Sequence, residues 1–212
     1  MAIALSCKDN GASNCQLSRY KLNDLTLVYL YNGEVLIGYR QYIAGVSEPG
    51  LIEYHYDSKG NITSEVVKLG YTPYTNTMEY DADGNLTKVT SPSGEATSYS
   101  YNSSGQLTVK EDTQGFKTVY SYDNLTTHNP ASVVNTYLSN PGQTVSFTYD
   151  SKPNPFRKLK PYGSTQPDNN VVSKTSSGSP GETLTYEYNA AGYWTKQTSS
   201  IGQITVLEYT CR

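Results

Sequence analysis

The chain has 212 residues, a net charge of −3 and a pI near 5.4. It is long enough for one domain with its own core, and it has neither the basic footprint of a nucleic-acid binder nor a polybasic membrane patch. Its 21 Tyr stand against 3 Phe and 1 Trp, and 64 residues are Ser, Thr or Asn. This composition, with 17 Gly and 10 Pro, argues for many short strands and turns and against a mostly helical protein.

In chain order, Met1–Ser6 is apolar but shorter than the ~7–15-residue apolar region of a signal peptide. Cys7 follows, then the polar stretch Lys8–Asn14. Ala4-Leu5-Ser6-Cys7 resembles the lipobox of bacterial lipoproteins, although Ala4 stands where that family prefers Leu. The resemblance implies lipidation of Cys7 and makes residues 1–19 a signal remnant and tether ahead of a repeat domain over 20–212. The alternative is a start-codon artefact with a free cysteine.

From Tyr29 onward a short motif recurs, an apolar or aromatic residue, a spacer and a Tyr. Its closing Tyr residues are Tyr31, Tyr56, Tyr80, Tyr101, Tyr122, Tyr149, Tyr188 and Tyr209, separated by 25, 24, 21, 21, 27, 39 and 21 residues. Gly94, Gly115, Gly142, Gly181 and Gly202 each stand seven residues before such a Tyr, and Gly60, Gly84, Gly105 and Gly192 four after. Six after it comes Ile62, Leu86, Leu107 or Trp194. Tyr-x-Tyr puts both rings on one face of a strand and the polar spacer on the other. Segments such as Asp81-Ala82-Asp83-Gly84 are tight reversals, opened by a side-chain-to-backbone bond and closed by a glycine. Each unit is therefore a two-stranded hairpin, and about eight units predict roughly 14–16 strands in an antiparallel meander. The expected fold is all-β, an extended twisted or curled sheet. Cross-strand stacking of the tyrosines, rather than a Leu/Ile core, is expected to hold it together. Tyr56, Tyr80, Tyr101, Tyr122, Tyr149 and Tyr188 form the expected ladder and its candidate binding face. The free edges of such a sheet would invite strand addition.

The repeat degrades twice, after Tyr122 and after Tyr149. The second break carries Pro153, Pro155 and Pro161 and reads as a long insertion over about 151–180, either a functional loop or a tolerated one. With Cys7 lipidated, Cys15 and Cys211 remain near opposite ends of the domain, where a disulfide would tie first strand to last. Two unpaired buried thiols are the other reading. No cysteine spacing suggests zinc.

The units Tyr54-His55-Tyr56-Asp57-Ser58-Lys59-Gly60-Asn61-Ile62 and Tyr80-Asp81-Ala82-Asp83-Gly84-Asn85-Leu86 resemble the YD repeat of Rhs and teneurin-type proteins, over about residues 29–209. The usual Arg after the second Gly is replaced by Asn61, Asn85, Gln106 and Tyr193. In that family the strands spiral into a large cargo-enclosing shell. This chain is several times shorter, so a closed shell is not expected. Together with the lipobox-like start, it resembles the small repeat-bearing lipoproteins of Bacteroidota. That resemblance implies an outer-membrane lipoprotein of the bacterial cell envelope, facing the periplasm or the exterior.

No catalytic motif is present. His55 reads as an exposed strand residue and His128 as part of a surface turn. Asp81-x-Asp83-Gly84-Asn85 is only faintly like a calcium loop. Glu187 and Glu208 share a strand face, as a glycosidase carboxylate pair would, but a solvated face explains them better. The expectation is a non-enzymatic surface protein without a cofactor, touching the membrane only through its lipid and binding an extracellular glycan, peptide or protein. A fragment of a YD/Rhs toxin shell or adhesin is the alternative, and an Asp/Glu hydrolase a third reading.

Overall fold

In the computed structural model, residues 15–70, 72–138, 140–159 and 166–211 are described, so Cys7 lies outside the described residues. Sixteen strands run in sequence. The first four are β1 (Cys15–Leu22), β2 (Leu25–Asn32), β3 (Val35–Ile43) and β4 (Gly50–Tyr56). Then follow β5 (Ile62–Lys68), β6 (Tyr74–Tyr80), β7 (Leu86–Thr90), β8 (Ala96–Tyr101), β9 (Leu107–Asp112) and β10 (Phe116–Ser121). The last six are β11 (Ser132–Tyr137), β12 (Asn140–Pro153), β13 (Asn169–Ser176), β14 (Ser179–Tyr188), β15 (Trp194–Ser199) and β16 (Ile204–Cys211). Every strand pairs antiparallel with its chain neighbours, and β1 pairs with β16. The meander is thus closed into a barrel, not left as the expected open sheet. Closure pairs both free edges with each other, which removes the anticipated site for strand addition.

Within the stretch read as an insertion, strand β12 continues to Pro153 and β13 starts at Asn169, and of the residues between them 154–159 and 166–168 are described, with a short 3-10 helix at Pro155–Lys158. Strand β1 begins at Cys15, inside the stretch read as remnant and tether.

Antiparallel pairing gives the barrel two mouths. The N-mouth holds the start of β1, the tip of the β2–β3 hairpin, the Asp57, Asp81, Asn102 and Asn189 turns, and both long excursions, 122–131 and the one between β12 and β13. The remaining hairpins form the far mouth. The turns at the N-mouth share one construction. In the clearest of them, Asn102 Oδ1 accepts from the amides of Ser104 and Gln106, both at 3.0 Å, while its own amide donates to Gln106 O. Asp81 does the same with Asp83 and Asn85, so the faintly calcium-like carboxylate serves the turn's own amides. Gly84 completes that turn at φ 85°, where a side chain would strain the backbone.

A bulge sits at the closing Tyr of most units, for example between Ser100 and Tyr101 and between Glu187 and Tyr188. Inside the wall, the residues that open β5, β7, β9 and β15 are sealed: Ile62 and Leu86 are 0% exposed, Leu107 2% and Trp194 3%, and Leu207 within β16 is 2% exposed. Tyr54, Tyr56, Tyr80, Tyr101 and Tyr120 pack half-buried against Ile62, Met78, Leu86, Tyr99 and Leu107. The centre of the core is therefore largely aliphatic, and the tyrosines form its flank instead of a self-sufficient ladder. The reason is size: a Tyr near the barrel end keeps its polar tip toward main chain or water, whereas Leu and Ile can be buried whole.

The outer wall carries cross-strand ion pairs: Arg19–Glu208 at 2.9 Å, Glu79–Lys88, Glu111–Lys117, Glu187–Lys196 at 2.7 Å, and Glu53–Lys68. Exposed pairs of this kind contribute about 0–1 kcal/mol each.

Candidate functional site: the N-mouth cavity

The tyrosines of the repeat have a common task. The β7–β8 ladder starts at the Lys88–Ser98 rung, so Leu86 lies beyond it. The Tyr101 hydroxyl donates to Leu86 O at 3.0 Å in place of the missing rung. In the same way Tyr122 donates to Leu107 O at 2.9 Å, Tyr186 to Val171 O at 2.6 Å, Tyr209 to Trp194 O at 2.9 Å and Tyr31 to Leu17 O at 2.9 Å. Tyr56 donates to Leu36 O, and Tyr149 to Pro130 O at 2.8 Å. Burial pushes the phenols of Tyr31, Tyr56, Tyr122, Tyr149, Tyr186 and Tyr209 up, Tyr31 and Tyr122 to about 12 with neighbouring tyrosines adding to the shift. They remain neutral donors over the whole physiological range.

Three of these rings, with that of Tyr193, line one cavity where the barrel closes. A cavity of about 930 Å³ opens at the N-mouth, walled by Tyr31, Tyr56, Tyr193 and Tyr209, with Pro155 and Leu159 on its inner side. Tyr193 is held in the Asn189 turn, where its amide donates to Asn189 Oδ1 at 3.0 Å, and its ring lies 5.4 Å from that of Tyr209. The short helix plugs the barrel beside them. Asn154 caps it by accepting from the Phe156 amide at 3.0 Å, and Phe156 packs edge-on against Trp194 and Tyr20, both at 6.0 Å. The tip of the β2–β3 hairpin overhangs the opening, tied to β1 by Gln16 Nε2 donating to Gly33 O at 3.1 Å, and it leaves Val35 50% exposed. Glu34 and Asp57 stand at the rim, and none of the described lining residues is cationic. The Asn61 and Lys59 amides hold the Asp57 carboxyl below the usual range. Because the hydroxyls of Tyr31, Tyr56 and Tyr209 serve the scaffold, these three residues offer the cavity their ring faces and apolar edges.

Of the six tyrosines marked from the repeat, only Tyr56 lines this cavity. Tyr101, Tyr122 and Tyr149 latch main-chain carbonyls elsewhere around the barrel, Tyr80 packs in the aliphatic row, and Tyr188 donates to Asp150 Oδ2. Tyr31 and Tyr209 belonged to the same series, but nothing local marks them as neighbours of each other. Cys15 is disulfide-bonded, and the residue opposite it in the seam register is Cys211.

The two interruptions of the repeat pack against one another. Asp168 Oδ2 accepts from the His128 amide at 2.7 Å and faces His128 Nδ1 at 3.2 Å, and Asp168 Oδ1 lies 3.1 Å from Arg157 Nε. Burial opposes ionisation of Asp168, but the His128 bonds and the Arg157 charge win and hold its carboxyl below the usual range. Gln106 is fully buried and donates to the carbonyls of Asn124 at 2.7 Å and Thr127 at 2.5 Å. It stands where the YD pattern has Arg, and here it pins the first excursion. His128 is accordingly half-buried and bonded, not a surface-turn residue, while His55 is exposed on the outer wall. Glu187 and Glu208 also face outward, each paired with a cation on a neighbouring strand.

The fold and its turns define a closed antiparallel barrel of repeated hairpins. Residues 80–115 match the RHS Repeat family model, so the chain carries an RHS repeat. A porin-like protein from Bacteroides uniformis ATCC 8492 is similar in structure, with a TM-score of 0.62 at 16% identity, covering 96% of this chain and 98% of that one. The TcdB2-TccC3-Cdc42 structure (17% identity, TM-score 0.40) aligns with 85% of this chain but spans 10% of its own. The Photorhabdus luminescens Tc holotoxin pore (13%, 0.31) covers 88% and 14%. No curated protein matches the sequence.

Proposed function

We propose that this chain is a non-enzymatic binding module of the bacterial cell envelope, held by lipid on Cys7 and taking a neutral extracellular glycan or peptide into the N-mouth cavity. The observation that carries the reading is the ring-walled cavity of about 930 Å³, a size that suits a small organic ligand or a short chain segment. Its rim carboxylates disfavour anions. The charged outer wall supports anchoring through a lipid over spanning by the barrel itself.

The test has two arms. Intact mass from the host's membrane fraction should show an acylated chain beginning at Cys7; an unacylated chain removes the anchor. Calorimetric titration of a panel of neutral oligosaccharides and peptides should find a ligand whose binding falls in Tyr193→Ala. A blank panel, or binding indifferent to that change, removes the cavity assignment.

A second reading, a segment of a YD/Rhs shell or adhesin, is favoured by the RHS match over 80–115. It requires that the host make a longer polypeptide containing this segment, which the same mass measurement detects.

A further inference from the structure

The far mouth carries a feature that the N-mouth reading does not use. Phe116 on β10 and Tyr137 on β11 are register partners, their rings 4.2 Å apart at 30°, and they remain 51% and 42% exposed. The same register puts Tyr120 opposite the buried Val133, so this face of the two strands looks into the barrel. One rung inward, Thr118 Oγ1 donates to Asn135 Oδ1 at 2.8 Å. The rank continues sideways, with Lys110 of β9 opposite Thr118 and Gln143 of β12 opposite Asn135. Lys110, Asn135 and Gln143 are all exposed although they face the lumen. Four strands at ~4.8 Å spacing make this rank about 14 Å long.

The charges along the strip differ. On β13, Lys174 is neutralised by Glu182 at 2.7 Å, whereas Lys110 has no ion-pair partner among the described residues. Two adjacent exposed rings at a rim offer a covering group an apolar contact surface. Their neighbours give the covering group its chemistry. Ring faces suit the apolar face of a sugar ring or a base. The amides of Asn135 and Gln143 supply donors and acceptors for hydroxyls. The Lys110 ammonium suits a carboxylate.

We propose that this strip is a subsite for an anionic saccharide, one sugar ring lying against Phe116 and Tyr137, its hydroxyls meeting Asn135 and Gln143 and its carboxylate meeting Lys110. It is separate from the N-mouth cavity and opposite to it in charge preference.

The experiment is calorimetric titration of the full chain with trigalacturonate, with maltotriose as the neutral comparison and adenosine monophosphate as the stacking anion. Trigalacturonate is expected to bind, and Lys110→Gln and Tyr137→Ala each to weaken it about tenfold, while Tyr193→Ala at the other mouth leaves it unchanged. Phe116→Leu keeps the rim apolar and removes a ring, so it gives the same answer if Tyr137→Ala unfolds. No binding at millimolar concentration overturns the proposal. So does equal affinity in all variants, binding of either comparison compound as tight as trigalacturonate, or loss of binding in Tyr193→Ala.

Discussion

Tyr101 donates its hydroxyl to the main-chain oxygen of Leu86, one strand away and 15 residues earlier, at 3.0 Å. The bond closes the end of a ladder that a bulge has cut short. Tyr101→Phe keeps the ring and removes the donor, leaving a part-buried carbonyl unpaired. It should cost about 1–2 kcal/mol, read as a lower denaturant midpoint at unchanged slope. An unchanged midpoint would mean that water replaces the hydroxyl at no cost.

Gly38 predicts a much larger effect. It has φ 150°, and a Cβ there would sit 2.0 Å from Ile52 O, a main-chain atom of the neighbouring strand. Since strand β4 cannot retreat without breaking its pairing with β5, Gly38→Ala should cost several kcal/mol, about 3 or more. Gly33→Ala, where a Cβ would meet nothing within 4 Å, is the control, with only the strain of its positive φ to bear. Equal losses at both positions would refute the contact argument.

Alkaline stability follows from the buried phenols. Burial raises Tyr31, Tyr80, Tyr99 and Tyr122 to about 12 from the usual 10.0. A raised folded-state value means that the unfolded chain loses its protons first. Stability should thus be intact below pH 10 and fall between about 10 and 12. Tyrosinate absorbance should rise in step with the loss of far-ultraviolet circular dichroism. Ionisation of most tyrosines in a still-folded barrel would contradict the burial seen here.

The seam gives the next prediction. Cys15 is disulfide-bonded opposite Cys211, and pairing of these two closes nearly the whole chain into one loop. Cys15→Ser should lower stability by about 4–5 kcal/mol, the chain-entropy estimate for so long a loop. Non-reducing peptide mapping should find residues 15 and 211 in one fragment.

Asn102→Ala tests the turn. It removes the acceptor for the Ser104 and Gln106 amides and should cost about 1–2 kcal/mol, as loss of a helix N-cap does. Asn102→Asp should retain most of the stability.

Short-range chemistry is what the sequence reveals well. The Asp/Asn and Gly of each N-mouth turn lie three residues apart, the Tyr-x-Tyr faces follow from the pleat, and hairpin after hairpin could be read from these. Closure could not. Arg19 and Glu208 are bonded across 189 residues, and apart from the Cys15 and Cys211 pair, read as one of two alternatives for tying first strand to last, no local pattern says that the last strand will curl round to the first. The N-mouth cavity was hidden for the same reason, since Tyr31 and Tyr209 become neighbours only when the ring shuts. Gly38 was invisible because its constraint is the carbonyl of another strand. The two repeat defects were seen individually, but their contact through His128 and Asp168 depends on both lying at the same mouth.

Closure also imposes a parity. Neighbouring strands alternate in direction, so the first and last can pair antiparallel only if the number of strands is even. A YD hairpin adds two strands at a time, so gain or loss of a whole unit preserves the ring and changes only its girth. Removing a single strand would turn β16 parallel to β1, move its end to the far mouth and separate Cys211 from Cys15 by the full height of the wall. The repeat is therefore the smallest step by which such a barrel can be resized, and its lumen can be widened or narrowed without redesigning any turn.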